Sequence, residues 1–405
     1  MTERGSLNEL KAASSLAINS GSSSIKFALF TRHAVPQRML AGTIERMGSP
    51  GAELTVTPKG GQHDIVRSNI SDHKDAASAI LRALDANLIG APLMAIGHRI
   101  VHGGPRYGDP QLITHDLTDE LKRLAVFVPN HLPAEIAMVE AMAQLLPGLP
   151  QVACFDTSFH HDLPDVARRL PIPRKYDAGG IRRYGFHGLS YAYLLEELSR
   201  IAGSDAARGR VILAHLGSGA SLAAVHEGRC VDTTMGFTPT GGLVMGTRSG
   251  DLDPGLLAYL VREEGLTADQ LETLINRQSG LLGMSEVSGD MRDLLANEVS
   301  DSRCAQAIAV FCYQARKAIG AFAAALGGLD TLVFSAGIGE HVPIIRKRIC
   351  EGLGFLGVRI NDERNDANAP VISEPGGVVV RVIPTDEELM IARALNRVAP
   401  GPEQC

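Results

Sequence analysis

One local pattern occurs twice in this 405-residue chain, and it constrains the fold more than any other feature. Residues 16–30 read LAINSGSSSIKFALF: an apolar strand, a polar Gly/Ser turn, then a strand alternating through Ile25, Phe27 and Leu29. From Val211 the run VILAHLGSGASLAAVHEGRC repeats it. Two copies, one in each half, predict an internally duplicated α/β fold. The length agrees, because it exceeds the roughly 100–200 residues usual for one domain.

Other elements fall around these two. Leu54–Val56 and Asp64–Val66 read as strands joined by the Lys59-Gly60-Gly61 turn. Ser71–Leu88 has helical spacing, and Met94–Val101 is a strand running into His102-Gly103-Gly104. Helices are predicted from about Thr118 and over Pro133–Leu146, and a strand over Gln151–Phe155 ends at Asp156. In the second half, Thr267 and Gln270 have capping-box spacing at the start of a helix Thr267–Asn276 that stops near Gly280. Ala305–Leu326 is a long Ala-rich helix, and Thr331–Ser335 is a strand meeting Ala-Gly-Ile-Gly. The final helix is expected to start at Thr385. With Thr385 as N-cap, Glu388 reaches back to it and Glu387 is left to point into a cleft, where a carboxylate can orient Mg²⁺ through water.

Composition narrows the function classes. Aromatic residues are only 4% and Trp is absent, while Gly reaches 43, which suits tight turns near a ligand better than an aromatic recognition surface. A formal net charge of -6 argues against general nucleic-acid binding. No apolar run reaches the roughly 18–20 residues of a membrane span. The opening MTERGSLNELKAASS lacks an apolar signal-peptide core and reads as a short disordered extension. Six scattered cysteines with no CxxC pair fit small buried hydrophobes in a reducing cytoplasm. HExxH is absent, so no zinc site of that type is expected.

The chemistry starts with phosphate. A P-loop needs Gly-Lys-Ser/Thr, and no Gly-Lys dipeptide occurs. The turns Gly21–Ser24, Gly217–Gly219 and Gly337–Gly339 each follow an apolar strand instead. Successive backbone N–H groups in such turns make anion-binding concavities. Asn19, Ser22, Ser24 and Lys26 add side-chain donors around the first. Arg99 stands at a strand end in HRIVHGG and Arg248 in the Gly-rich GLVMGTRSGDLDPG, where guanidinium forks match carboxylate or phosphate oxygens. His187, His131 and His215 sit in motif-like settings, and Asp156 ends a strand where a catalytic or metal-positioning carboxylate is common.

Together NSGSSSIKF, GHRIVHGG, FDTSFH, RRYGFHG, HLGSGAS, DTTMGFTP, MGTRSGDLDPG, FSAGIGEH and PTDEEL resemble the acetate and propionate kinase family, over about Leu16–Val398. That family belongs to the sugar kinase, heat-shock chaperone and actin superfamily. The resemblance implies two duplicated ribonuclease-H-like domains with ATP and the active site in the interdomain cleft. It implies an N-terminal extension 1–15, an acyl-kinase domain over 16–157 plus a returning helix 385–405, and a nucleotide-binding domain over 158–384. It implies a cytoplasmic homodimer using ATP, Mg²⁺ (or Mn²⁺) and acetate or another short carboxylate, with no nucleic-acid or membrane partner. By motif, the catalytic set is Arg99, Asp156, His187, Arg248 and His131. Val101, Phe186 and Pro239 form the acyl pocket, and Arg99 also contacts the carboxylate. Asn19 lies by the transferring phosphate and, with Glu387, holds the metal. Ser22, Ser24, Lys26, His215, Gly217, Ser218 and Gly219 face the phosphates. Asp290, Met291 and Arg292, with Gly337, Ile338 and Gly339, hold the adenosine.

The chain departs from the family pattern at Asn130, where Leu is usual, and at Ser218, usually Asn. FHGTSH becomes FHGLSY with Leu189 and Tyr191, and Thr240-Gly241-Gly242 replaces Leu-Glu-Gly. None removes a charged catalytic group. The implied reaction is direct in-line transfer from ATP to a carboxylate. Propionate kinase is the alternative, and a sugar kinase or nucleotide-gated binding protein stands further off.

Overall fold

In a computed structural model the described residues are 13–399, apart from 22, 23, 50, 62, 63, 68 and 88–91. The expectations for residues 1–12, Ser22, Leu88 and Cys405 lie outside them. The chain divides into two units, Met1–Ser158 with Asp386–Cys405, and Phe159–Thr385.

The first unit is built on an eight-stranded sheet ordered β5-β4-β3-β2-β1-β6-β8-β7. Its strands are β1 (Ser14–Ser20), β2 (Ile25–Thr31), β3 (Arg38–Glu45), β4 (Glu53–Pro58), β5 (Asp64–Arg67), β6 (Leu93–Ile100), β7 (Gln111–Leu112) and β8 (Gln151–Phe155). β1 pairs antiparallel with β2 and parallel with β6, and β6 runs parallel to β8. The parallel trio therefore ends on one edge, and that edge carries Asn19, Arg99 and Asp156. The helices His73–Asn87 and Leu132–Leu145 bury Ala76, Ala77, Ile80, Met138 and Met142 against Leu16, Ile18 and Ile96 of the sheet. The C-terminal helix Glu387–Val398 packs on β1, β6 and β8. Gly97 permits this, since a Cβ there would lie 2.3 Å from Ile391.

The second unit holds a five-stranded sheet ordered β11-β10-β9-β12-β13. Its strands are β9 (Val211–Leu216), β10 (Ala220–His226), β11 (Arg229–Thr233), β12 (Thr331–Ser335) and β13 (Val379–Val382). β9 is fully buried, as an interior strand covered on both faces must be. Its order and strand senses match β3-β2-β1-β6-β8: two antiparallel neighbours on one side and two parallel on the other. The repeated pattern in the sequence is thus a repeated sheet.

Several boundaries differ from expectation. β1 begins at Ser14, so the extension read as 1–15 overlaps the first strand. The helix expected from Thr118 starts at His115, because Thr114 caps it by accepting from the Leu117 N–H. Thr118 is inside and donates its hydroxyl back to the Thr114 carbonyl. The final helix starts at Glu387 with Asp386, not Thr385, as N-cap; the Asp386 carboxylate accepts from the Leu389 N–H. The capping box at Thr267 and Gln270 is present as read.

Candidate active site

In the first unit the site grows from Arg99. Its Nη2 donates to Asp156 Oδ2 at 2.7 Å. Its Nη1 stands 3.6 Å from Glu135 Oε1, too long for a hydrogen bond. Asp156 is fully buried directly after β8, and its N–H donates to the Ile100 carbonyl. Burial works against the Arg99 charge, but Asp156, Glu387 and Glu135 outweigh it and raise its pKa above the ordinary value. Asp156 thus aims a permanent fork at the sheet edge.

Glu135 is a residue the sequence reading missed. It sits in the first turn of Leu132–Leu145, buried, with Oε2 accepting from the Val101 N–H at 2.8 Å. Its Oε1 has no hydrogen-bond partner. Burial pushes its pKa from 4.5 to about 8, against the pull of Arg99 and the Val101 N–H, with Asp156 adding to the rise. The signal for it was a carboxylate on the inward face of a helix whose other buried residues, Leu132, Ile136, Met138, Val139, Ala141 and Met142, are apolar.

Asn19 and Glu387 come together: Asn19 Nδ2 donates to Glu387 Oε2 at 2.8 Å. Glu387 is therefore held, not left over as the Thr385-capped reading had it. Burial raises its pKa, partly offset by Arg99, while Asp156 and Glu388 add to the rise and Lys26 opposes it. Val101 is buried beside Arg99, and His131 occupies the N-cap of Leu132–Leu145 without a side-chain cap bond. Ser24 and Lys26 are exposed after Gly21, whose N–H donates to the Ser24 carbonyl.

In the second unit two imidazoles stack. His187 and His215 have ring centroids 4.1 Å apart at 20°. His187 precedes the helix Gly188–Ala202 with φ of 62°, a left-handed conformation uncommon for a side-chain-bearing residue. Its Nδ1 lies 2.8 Å from Ser221 Oγ, and His215 Nδ1 lies 2.8 Å from Ser190 Oγ. The Gly217–Gly219 turn closes through the Gly217 N–H on the Gly219 carbonyl. A Cβ at Gly219 would lie 2.5 Å from Arg248 Nη2 and 3.2 Å from His187 Nε2, so both side chains close in on this turn and a larger residue there would push the arginine aside. Arg248 Nη1 donates to the Pro239 carbonyl, which anchors the fork. Phe186 is buried, with its carbonyl 3.0 Å from His160 Nε2.

A cavity of about 680 Å³ opens beside the turn, lined by Gly217, Ser218, Gly246, Gly289, Asp290, Met291, Arg292, Gly337 and Ile338. Asp290 caps the helix Met291–Asn297 and pairs with Arg292, whose hydrogen bond lowers the Asp290 pKa. Gly339 is not on the wall. It faces inward, and its carbonyl accepts from the fully buried Arg346. Ser221 and Ser190 also escaped the sequence reading. Ser221 is the only hydroxyl in the otherwise apolar ASLAAV stretch of β10.

Comparison with known proteins agrees along nearly the whole chain. Residues 14–393 match the model of the acetokinase family. The chain is 44% identical over 393 residues to the acetate kinase of Rhodopseudomonas palustris strain ATCC BAA-98 / CGA009, covering 95% of this chain and 98% of that protein. It resembles the crystal structure of Porphyromonas gingivalis acetate kinase with a TM-score of 0.84 at 38% identity, covering 94% of this chain and 98% of the other. It resembles a propionate kinase from Francisella tularensis subsp. tularensis SCHU S4 with a TM-score of 0.90 at 35% identity, covering 95% and 100%. With the family model matched over residues 14–393 and a relative 44% identical over nearly its whole length, the chain belongs to the acetokinase family.

Proposed function

We propose that this protein is an acetate kinase, transferring the γ-phosphoryl group of ATP reversibly to acetate to give acetyl phosphate and ADP. The observation that carries the reading is the crowding of Arg248 Nη2 and His187 Nε2 against the Gly217–Gly219 turn, beside a nucleoside-sized cavity. Two donors aimed at an anion cradle are what phosphoryl transfer asks of a protein.

Acetate is already a nucleophile, so no strong base is needed. Arg99, fixed by Asp156, binds the carboxylate, with Val101, Phe186 and Pro239 about its methyl group and His131 beside it. Arg248 and His187 stabilise charge on the equatorial oxygens of a loose transition state. His215, Gly217, Ser218 and Gly219, with Ser22, Ser24 and Lys26, meet the nucleotide phosphates. Asp290–Arg292, with Gly337 and Ile338, take the adenosine. Asn19 and Glu387 would hold Mg²⁺. Among the described residues no group of three or more His, Cys, Asp or Glu could hold a metal, and Mg²⁺ in such sites binds through one or two carboxylates plus substrate phosphates. When bound, the ion neutralises phosphate charge.

A homodimer is the proposed assembly. The helices Pro254–Glu263 and Ala268–Arg277 bury no residue in the isolated chain, and Leu256, Tyr259 and Val261 are exposed on the first. The cytoplasm is the proposed compartment, supported by the buried free thiols of Cys154, Cys230, Cys304, Cys312 and Cys350. The second reading, propionate kinase, is favoured by the TM-score of 0.90 with the Francisella tularensis enzyme. The test is kcat/KM for acetate, propionate and butyrate with Mg·ATP. Acetate at or above propionate supports the first reading, and a clear preference for a longer chain supports the second.

A further inference from the structure

Tyr191 stands where the family pattern has histidine, and the proposed reaction leaves it without a role. Its side chain is fully buried, with Phe159 at 5.7 Å and His160 edge-on at 5.6 Å between ring centroids. Its hydroxyl lies 2.5 Å from Ser221 Oγ, and that same oxygen lies 2.8 Å from His187 Nδ1. The three groups form a chain: phenol, alcohol, imidazole.

We infer that Tyr191 is a positioning residue that fixes the tautomer of His187 through Ser221. A phenol, with a pKa near 10, gives up its proton more readily than an alkyl alcohol. Its oxygen, conjugated with the ring, is the poorer acceptor. The favoured direction is therefore Tyr191 O–H to Ser221 Oγ. The serine's single proton is then donated to His187 Nδ1, which accepts. The proton of a neutral His187 is left on Nε2, the nitrogen that faces Gly219 beside Arg248 Nη2. The reverse order would put Nδ1–H on Ser221 and turn the lone pair of Nε2 towards any anion in the turn.

The neighbouring ring has the same wiring. Thr385 Oγ1 donates to Ser190 Oγ at 2.8 Å, and Ser190 Oγ lies 2.8 Å from His215 Nδ1. His215 Nε2 faces the adjacent glycine, 3.9 Å from where a Cβ of Gly217 would sit. Both stacked rings are thereby set as neutral Nε2–H donors towards one turn. Neutral rings stack at 4.1 Å without the repulsion two imidazolium ions would feel. The catalytic consequence rests on the phosphotransfer reading; the tautomer does not.

The experiment is ring ¹⁵N NMR of the full-length protein labelled at histidine, at alkaline pH, with the His187 signals identified by their loss in His187→Gln. The expected spectrum shows a protonated Nε2 and a bare Nδ1. In Tyr191→Phe the His187 signals move towards a tautomer mixture. There kcat falls about tenfold, below the full loss of a charge-stabilising donor, while KM for ATP and acetate stays within about twofold. A wild-type His187 protonated on Nδ1 overturns the inference, and so does a Tyr191→Phe spectrum identical to wild type. The wild-type spectrum decides the tautomer even where Tyr191→Phe does not fold. A shifted tautomer with unchanged kcat upholds the relay and overturns instead the placement of His187 at the phosphoryl group.

Discussion

Glu135 offers the sharpest physical test of the Arg99 site. Its carboxyl is buried, bonded through one oxygen to the Val101 N–H, and raised from 4.5 to about 8 chiefly by desolvation. A group that holds its proton more tightly in the folded chain adds stability below its unfolded pKa, and loses that increment as pH climbs to the folded value. Each pKa unit is worth about 1.4 kcal/mol, so the whole shift is worth about 5 kcal/mol. Glu135→Gln keeps the shape and the acceptor for Val101 but cannot ionise. The variant gains on wild type by about 1.4 kcal/mol per pH unit between pH 5 and 8. Glu387 titrates in the same sense but is common to both proteins, so it cancels. The chain has no Trp, so urea unfolding is followed by far-UV circular dichroism. Parallel stability curves from pH 5 to 8 would refute the reasoning and mean that Arg99 keeps Glu135 ionised.

Other consequences are direct. Arg248→Ala loses on the order of 10³-fold or more in kcat, and a loss under about tenfold with intact folding removes Arg248 from the phosphoryl group. Asp386→Ala removes the cap of Glu387–Val398 and the pair with Arg38, lowering stability by about 1 kcal/mol in urea unfolding; an unchanged midpoint would contradict that cap. Glu387→Gln raises the Mg²⁺ concentration for half-maximal rate by roughly 10–100-fold, whereas an unchanged Mg²⁺ titration would place the ion elsewhere.

Local signals carried much of the fold. Gln151–Phe155 and Thr331–Ser335 were legible to the residue because both are short apolar runs bounded by polar or Gly-containing turns. β3 was missed because Gly42 interrupts its inward face between Leu40 and Ile44. That glycine is required, since a Cβ would lie 2.3 Å from the Phe27 ring, a contact no local pattern announces. Thr385 looked like a cap but is claimed by distant partners: its hydroxyl goes to Ser190 and its N–H accepts no helix role, donating to Glu340 instead. Asp386 takes over the cap. The site divides in the same way. Arg99, Asp156, His187 and Arg248 stood out by type and motif. Glu135, Ser221 and Ser190 act only through what they touch, and those contacts exist only after folding.

The most direct test of the central claim is trapping the product. The protein incubated with Mg·ATP, acetate and hydroxylamine is predicted to form acetyl hydroxamate and ADP in equal amounts, dependent on both ATP and acetate. ADP release without any acyl hydroxamate, from acetate or from propionate, would contradict phosphoryl transfer to a carboxylate.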